Sequence, residues 1–296
     1  MEELRDAAPG STVIQPKSRD SVDWANITAL NGGINKEILA KSPKLRWFHS
    51  PAAGVEGYLF PEMVASPVLL TNSKGVYSIF IAELVMGHLL AHTTQVHANT
   101  VRGDRLTWLR NTLRGFELYH STVVIIGLGN IGSEVADRCL GFKMNVIGVD
   151  PVRRAAAGVT LVRPDRIDEV LPLADVIIIT APATTARKLF DKRRLLSLKK
   201  GAYLINSSRG PIIDTDALVE VLESGHLGGA GLEVTDPEPL PPDHPLWTAP
   251  NVTITPHIGG MTDQVDRRRF MILKENFWRL VRGLPLLNVV NKTRGF

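Results

Sequence analysis

From Thr122 onward, short apolar runs alternate with helix-like stretches. Runs rich in β-branched residues fall at 122–126, 145–149, 175–180, 202–206, 229–234 and 252–255. Between them, 131–140, 190–198 and 215–224 carry the clearest helical patterns. Asp214 or Thr215 can cap the start of the last of these, and Gly225 its end. Continuous apolar strands alternating with helices predict a parallel sheet covered on both faces. Six such strands match a doubly wound α/β fold in number. The first hundred residues repeat the pattern more weakly, with short strands expected at 12–15, 25–30, 45–48 and 68–70. A long apolar helix is expected over 79–93 and a second long helix over 263–282. The stretch 237–245 is Pro-rich but too short for a domain linker, so it reads as an ordered loop.

Composition narrows the class. The chain has 296 residues, 44% hydrophobic and 22% charged, an ordinary globular mix that favours two domains. Lys plus Arg is 34 and Asp plus Glu is 30, a net charge of +4. The basic residues are dispersed, which argues against nucleic acid and fits small anionic ligands. Cys139 is the only cysteine, so neither an intrachain disulfide nor a cysteine metal cage can form. No apolar run approaches the roughly 18 residues of a membrane span. The charged start, Met1-Glu2-Glu3-Leu4-Arg5-Asp6, lacks a signal-peptide core. These features predict a cytoplasmic protein without membrane partners.

The strongest local motif is Gly127-Leu128-Gly129-Asn130-Ile131-Gly132. It follows a predicted strand and opens a predicted helix, the context a dinucleotide-binding turn requires. Gly127 permits the tight turn, Gly129 lets the backbone approach a pyrophosphate, and Gly132 lets helix and strand pack closely. The helix N-terminus, with Asn130 and Ile131, then faces the phosphates. Asp150 ends the next strand, where a carboxylate can accept from ribose hydroxyls and repel a 2′-phosphate. That favours NAD over NADP. Arg153 and Arg154 leave NADP open, because either can hold such a phosphate or simply face solvent.

Arg209, Glu238 and His257 fall at or just beyond predicted strand C-termini, where open α/β sheets bind ligands. Taken singly, each has an ordinary structural reading. His88 and His92 are spaced like metal ligands on a helix, but the helix is apolar and no third ligand is evident. Packing is the better reading for them, as for Cys139, Trp108 and Trp247.

The segment 201–260 closely resembles the D-isomer-specific 2-hydroxyacid dehydrogenases. The matching stretches include Leu204-Ile205-Asn206-Ser207-Ser208-Arg209-Gly210, Gly225-His226-Leu227-Gly228-Gly229-Ala230-Gly231-Leu232, Pro237-Glu238-Pro239-Leu240, His244-Pro245-Leu246-Trp247 and Thr255-Pro256-His257. The resemblance implies two Rossmann/flavodoxin-like domains with doubly wound parallel sheets and an active site in the interdomain cleft. Residues 98–259 would form the NAD-binding domain, and 1–97 with 260–296 the substrate domain. It implies a catalytic set of Arg209, Glu238 and His257. His257 would exchange a proton with the substrate oxygen, Glu238 would orient it, and Arg209 would bind the carboxylate and polarise the carbonyl. In that scheme no metal is called for. The resemblance adds Ala181, Pro182, Thr185, Ser207, Ser208, Arg209, Glu233, His257 and Gly259 to the cofactor contacts. It assigns the substrate carboxylate to the backbone of Ala53, Gly54 and Val55. Lys74 would face either that anion or solvent. The implied substrate is a small 2-oxo or 2-hydroxy acid such as glyoxylate or hydroxypyruvate, and the implied assembly a homodimer.

Two departures stand out. Glu233 replaces the family's usual Asp, whose carboxylate contacts the nicotinamide carboxamide. On that basis Glu233→Asp is expected to retain or improve turnover. On this resemblance the first domain is expected to start at its first helix, without the strand that precedes it in the family. Formate oxidation is disfavoured, because that branch pairs its histidine with glutamine. Phosphite oxidation, or an NAD-sensing corepressor-like role with faded catalysis, remains open.

Overall fold

The computed structural model describes residues 2–101, 114–153, 155–182 and 188–295. The chain forms two compact units, Met1–Tyr77 with Thr262–Phe296, and Ser78–Met261.

The first unit opens with α1 (Glu2–Ala7), β1 (Ala29–Asn31), α2 (Lys36–Lys41), β2 (Trp47–Ser50), α3 (Pro61–Ala65) and β3 (Leu69–Asn72). Its three strands are parallel and lie in the order β1-β2-β3. Phe48, Met63 and Leu70 fill the core beneath them. The strand expected at 12–15 does not form. That stretch pairs with no neighbour, and Ile14 stays 53% exposed, so it has no apolar face to bury. The strand expected at 25–30 is displaced to Ala29–Asn31 by a 3₁₀ turn over Trp24–Asn26.

The second unit runs through α4 (Ser78–Thr93), α5 (Val96–Val101), β4 (Thr122–Ile126), α6 (Asn130–Gly141), β5 (Asn145–Val149), β6 (Val159–Val162) and α7 (Ile167–Val170). It continues with β7 (Val176–Ile179), α8 (Lys192–Ser197), β8 (Tyr203–Asn206), α9 (Thr215–Glu223), β9 (Gly229–Leu232) and β10 (Val252–Ile254). All seven strands are parallel, in the order β10-β9-β8-β7-β4-β5-β6. Numbered from β4, this is the doubly wound 3-2-1-4-5-6 order with a seventh strand added. Both faces are covered, so Ile177, Ile178 and Ile179 are all fully buried. Each such side chain contributes about 1.5–3 kcal/mol relative to exposure. The strand β6 was not among those expected; it sits at the sheet edge with a half-exposed face and a weak apolar run. The helix caps follow the sequence, since Asp214 accepts from the Ala217 amide and Asp191 from the Arg194 amide.

The chain then returns to the first unit through α10 (Val265–Val281). Its end folds back on β3, where the Val290 amide donates to Leu70 O at 2.8 Å. Lys292 Nζ donates to the carbonyls of Met63, Ser66 and Val68. The division places residues 78–97 with the cofactor-type sheet, whereas the sequence reading set them with the first domain. The cause is α4, whose Ala82, Val85, Met86 and Leu89 share a core with Val123, Ile125 and Val135. Trp108 lies outside the described residues.

Candidate active site

The glycine turn sits where β4 ends, at the point where the strand order reverses between β4 and β7. Gly127 has φ +94°, and a side chain there would strike Ala181 Cα at 2.7 Å. Gly132 packs directly on the turn, because a Cβ on it would lie 1.9 Å from Gly127 O. Gly129 caps α6, and a Cβ built on it meets nothing within 4 Å. That open face lies beside the amide-rich start of a 12-residue helix, with Asn130 exposed and Ile131 half-buried. The geometry fits a diphosphate.

Asp150 closes the turn from the next strand. Its Oδ2 accepts from the Leu128 amide, and its Oδ1 from the amides of Val152 and Arg153, each at 2.8 Å. Partial burial pushes its pKa up, but these amides and the Arg153 guanidinium outweigh it, so the carboxyl is held below its ordinary value. Arg153 reaches Ser133 Oγ in the first turn of α6 at 3.1 Å. Thr185 and Arg154 lie outside the described residues.

Three consecutive parallel strands carry the remaining groups at one sheet edge. Beyond β8, the buried Asn206 side chain donates to Arg209 O and accepts from the Ser208 amide. Ser208 donates to Ala181 O, which lies beside the exposed Pro182. The half-buried Arg209 donates from Nη1 to Ser208 O at 2.9 Å. Ser207 Oγ is buried and meets no partner among the described residues. A buried hydroxyl left unpaired is costly, and a bound polar group would satisfy it.

Beyond β9, Glu233 is only 3% exposed. Its carboxylate accepts from Thr255 Oγ1 and from the Gly259 amide. Burial pushes its pKa up, and these donors with His257 only partly offset the rise. Beyond β10, His257 stands at φ +53°, a left-handed conformation that a β-carbon disfavours. Its amide holds it there by donating to the carbonyls of Glu233 and Thr255. Such strain is commonly stored at functional sites. His257 Nδ1 lies 2.7 Å from Glu238 Oε1, and both side chains are substantially solvent-exposed. A carboxylate only accepts, so Nδ1 carries the proton and Nε2 is left for chemistry. Glu238 stands between two cis peptides, Asp236–Pro237 and Glu238–Pro239.

In the first unit, the loop after β2 is pinned by Asn72 Nδ2 donating to Ala53 O at 2.7 Å and the Ser73 amide donating to Ala52 O. Among the described residues, the N–H groups of Ala53, Gly54 and Val55 meet no acceptor. Successive unpaired amides of this kind suit an anion. Lys74 is exposed. Cys139 is fully buried, and burial pushes its thiol up to about 12. Sequence reasoning did not find Thr255 or Asn206 as supports, because a threonine or asparagine beside a strand carries no motif of its own. Among the described residues no three His, Cys, Asp or Glu side chains converge as metal ligands, and no helix is long and apolar enough to cross a membrane.

Comparison with known proteins agrees with this geometry. The family model of the D-isomer specific 2-hydroxyacid dehydrogenase NAD binding domain matches residues 85–259. The chain is 32% identical over 281 residues to a glyoxylate reductase of Thermofilum pendens, covering 90% of this chain and 81% of that one. It is 31% identical over 296 residues to a D-3-phosphoglycerate dehydrogenase of Methanocaldococcus jannaschii, covering 98% of this chain but only 56% of that longer one. Among solved structures, the NADPH-dependent glyoxylate/hydroxypyruvate reductase of Sinorhizobium meliloti, in complex with NADP and sulfate, aligns with a TM-score of 0.85 and 28% identity. That alignment covers 100% of this chain and 96% of that one. The glycine turn, the strand-end residues and these relatives together place the chain in the D-isomer-specific 2-hydroxyacid dehydrogenase family of NAD(P)-dependent oxidoreductases.

Proposed function

We propose that the chain reduces a small 2-oxo acid to its D-2-hydroxy acid, with His257 as the acid and, in reverse, the base. The observation that carries this reading is the His257–Glu238 pair at 2.7 Å, on the same sheet edge as Arg209. The bound nicotinamide cofactor supplies the hydride. His257 holds a proton at Nε2 and gives it to the substrate oxygen as negative charge develops there. Glu238 keeps the ring oriented and its Nδ1 protonated. Arg209 pairs with the substrate carboxylate and polarises the 2-oxo group through its fork of donors. The free amides of Ala53, Gly54 and Val55 are proposed as a second grip on that carboxylate. Gly127, Gly129, Gly132 and the start of α6 would hold the diphosphate. Ser207 Oγ and the Glu233 carboxylate would meet the nicotinamide end.

Asp150 is ionised at working pH and has one acceptor position left on Oδ2, which suits a ribose hydroxyl. NADH is therefore the proposed preference, with Arg153 as the group through which NADPH is tolerated. Glyoxylate and hydroxypyruvate are the first substrates to test, given the names of the relatives. The deciding assay follows NADH and NADPH oxidation over a panel of 2-oxo acids, with His257→Gln beside the parent chain. Turnover on at least one acid, falling about 10²–10⁴-fold in the variant, is expected. Tight NAD binding without turnover on any acid would favour a sensor over an enzyme. Light scattering on the same preparation tests the proposed homodimer.

A further inference from the structure

Two buried histidines of α4 lie against β9 and β10, on the inner side of the strand ends that carry the site. His88 and His92 are 5% and 3% exposed. Room for them comes from two glycines on one face of β9. A Cβ on Gly231 would sit 2.7 Å from His88 Cβ, and one on Gly229 would sit 3.3 Å from His92 Nδ1.

Their hydrogen bonds form one continuous chain. His92 Nε2 is 3.0 Å from both Ala230 O and Thr253 Oγ1. Thr253 Oγ1 is 2.6 Å from His88 Nδ1, and His88 Nε2 is 3.1 Å from Thr255 Oγ1. Thr255 Oγ1 then donates to Glu233 Oε2. Satisfying every member gives this chain a direction. A carbonyl can only accept, so His92 must carry its proton on Nε2. Thr253 accepts from His92 and spends its own hydrogen on His88 Nδ1. Neutral His88 then has its hydrogen on Nε2 and gives it to Thr255. Thr255 must in turn donate to Glu233, which meets a second donor in the Gly259 amide. A protonated Glu233 that donated to Thr255 would reverse each link and leave two acceptors, Ala230 O and an unprotonated His92 Nε2, facing one another.

We propose that His88 and His92 form a one-way hydrogen-bond wire that holds Glu233 as an ionised, acceptor-only carboxylate, with His88 as its positioning residue. The wire opposes the burial that otherwise favours the neutral acid. Burial also brings both histidines down to about 4, so they stay neutral at working pH. The other titratable groups nearby are His257 beside Glu233, and His97 and Tyr203, whose rings pack on His92 at 5.7 and 5.9 Å. The consequence for cofactor affinity rests on the reading that Glu233 meets the nicotinamide end; the direction of the wire does not.

Long-range ¹H–¹⁵N spectra of the full chain without cofactor test the wire directly. At pH 7 both His88 and His92 are expected neutral with the proton on Nε2. A proton on Nδ1 of His88, or a charged ring, would overturn the proposal. NADH binding followed by fluorescence gives the second reading. His88→Leu is expected to weaken NADH binding about tenfold, the loss of one hydrogen bond feeding a buried charge. His88→Gln, whose amide N–H can stand in for Nε2–H, should restore binding to within about threefold. Adding His88→Leu to Thr255→Val should cost nothing further, since the two act in series. If the leucine variant only melts earlier and binds NADH like the parent, while Glu233→Gln binds it weakly, the wire fails and the reading of Glu233 stands. If Glu233→Gln binds NADH as tightly as the parent, the reading of Glu233 falls, and the claim on the cofactor falls with it.

Discussion

Glu233 is where the structure changes an expectation most. As a replacement for the family's usual Asp, it invites the idea that Glu233→Asp would retain or improve turnover. Its two carboxylate oxygens, however, are engaged by Thr255 and by the Gly259 amide. An aspartate is one methylene shorter and cannot reach both donors from the same backbone position. The expectation is therefore reversed. Glu233→Asp should lower kcat/KM for the reduced cofactor by about 10- to 100-fold, the scale of a misplacement near 1 Å. Steady-state kinetics at saturating 2-oxo acid checks this, and an unchanged value would show that the site tolerates either carboxylate. Arg209, Glu238 and His257 each have an ordinary reading alone, and only the longer strings that resemble the family single them out together as a proposed set. The partners that make Glu233 work could not be found in that way, since His88 and Thr255 are distant in sequence and meet only through the packing of α4 on β9 and β10.

The turn between β4 and α6 shows how one element separates folding from binding. Gly132 and Gly129 look alike in the motif but face different surroundings. A methyl group on Gly132 would overlap Gly127 O, whereas one on Gly129 enters open space. Gly132→Ala should therefore shift α6, lower the melting temperature and weaken NADH binding together. Gly129→Ala should melt within a degree or two of the parent, yet bind NADH at least tenfold more weakly, because its methyl group occupies the approach of the diphosphate. Calorimetry and fluorescence titration of the two variants separate these outcomes; equal melting losses would contradict the difference in packing. Element by element, the strands from Thr122 onward were legible, because a sheet buried on both faces writes itself as continuous apolar runs. The edge strand Val159–Val162 and the unformed strand at 12–15 were not. The edge strand is short and only half-buried, with its run broken at the exposed Thr160, and one β-prone tetrapeptide without a neighbour has nothing to pair with.

At the scale of the whole molecule, three buried neutral histidines make stability depend on acid. His49, His88 and His92 are each brought down to about 4 by burial. In the unfolded chain they would take up protons near pH 6.5. Between those values the unfolded state binds more protons, so stability falls as pH drops from about 6.5 toward 4. Each group contributes a slope of about 1.4 kcal/mol per pH unit across that window. The urea midpoint should thus be clearly lower at pH 5 than at pH 7. His49→Gln should flatten the dependence of the first unit, and His88→Gln that of the second. Midpoints equal at the two pH values would mean that the native state accommodates the charged rings. The division into two units was foreseen from length and pattern, but its boundary was not. The helix Ser78–Thr93 is apolar all round, so its sequence does not say which core it joins.

The order of the chain through these units also bears on how the protein is made. The second unit is a single uninterrupted stretch, while the first is assembled from segments on either side of it. Val290 belongs to the core that contains Phe48 and Leu70, and Lys292 ties down the end of α3. During translation, the residues synthesised first must therefore wait for those synthesised late. At about 5–20 residues per second, the ribosome needs on the order of 10–40 s for the intervening unit alone. The nucleotide-type sheet can close while still tethered to the ribosome. The three-stranded sheet ahead of it must pass that interval incomplete, which makes its exposed edges the natural point for chaperone capture.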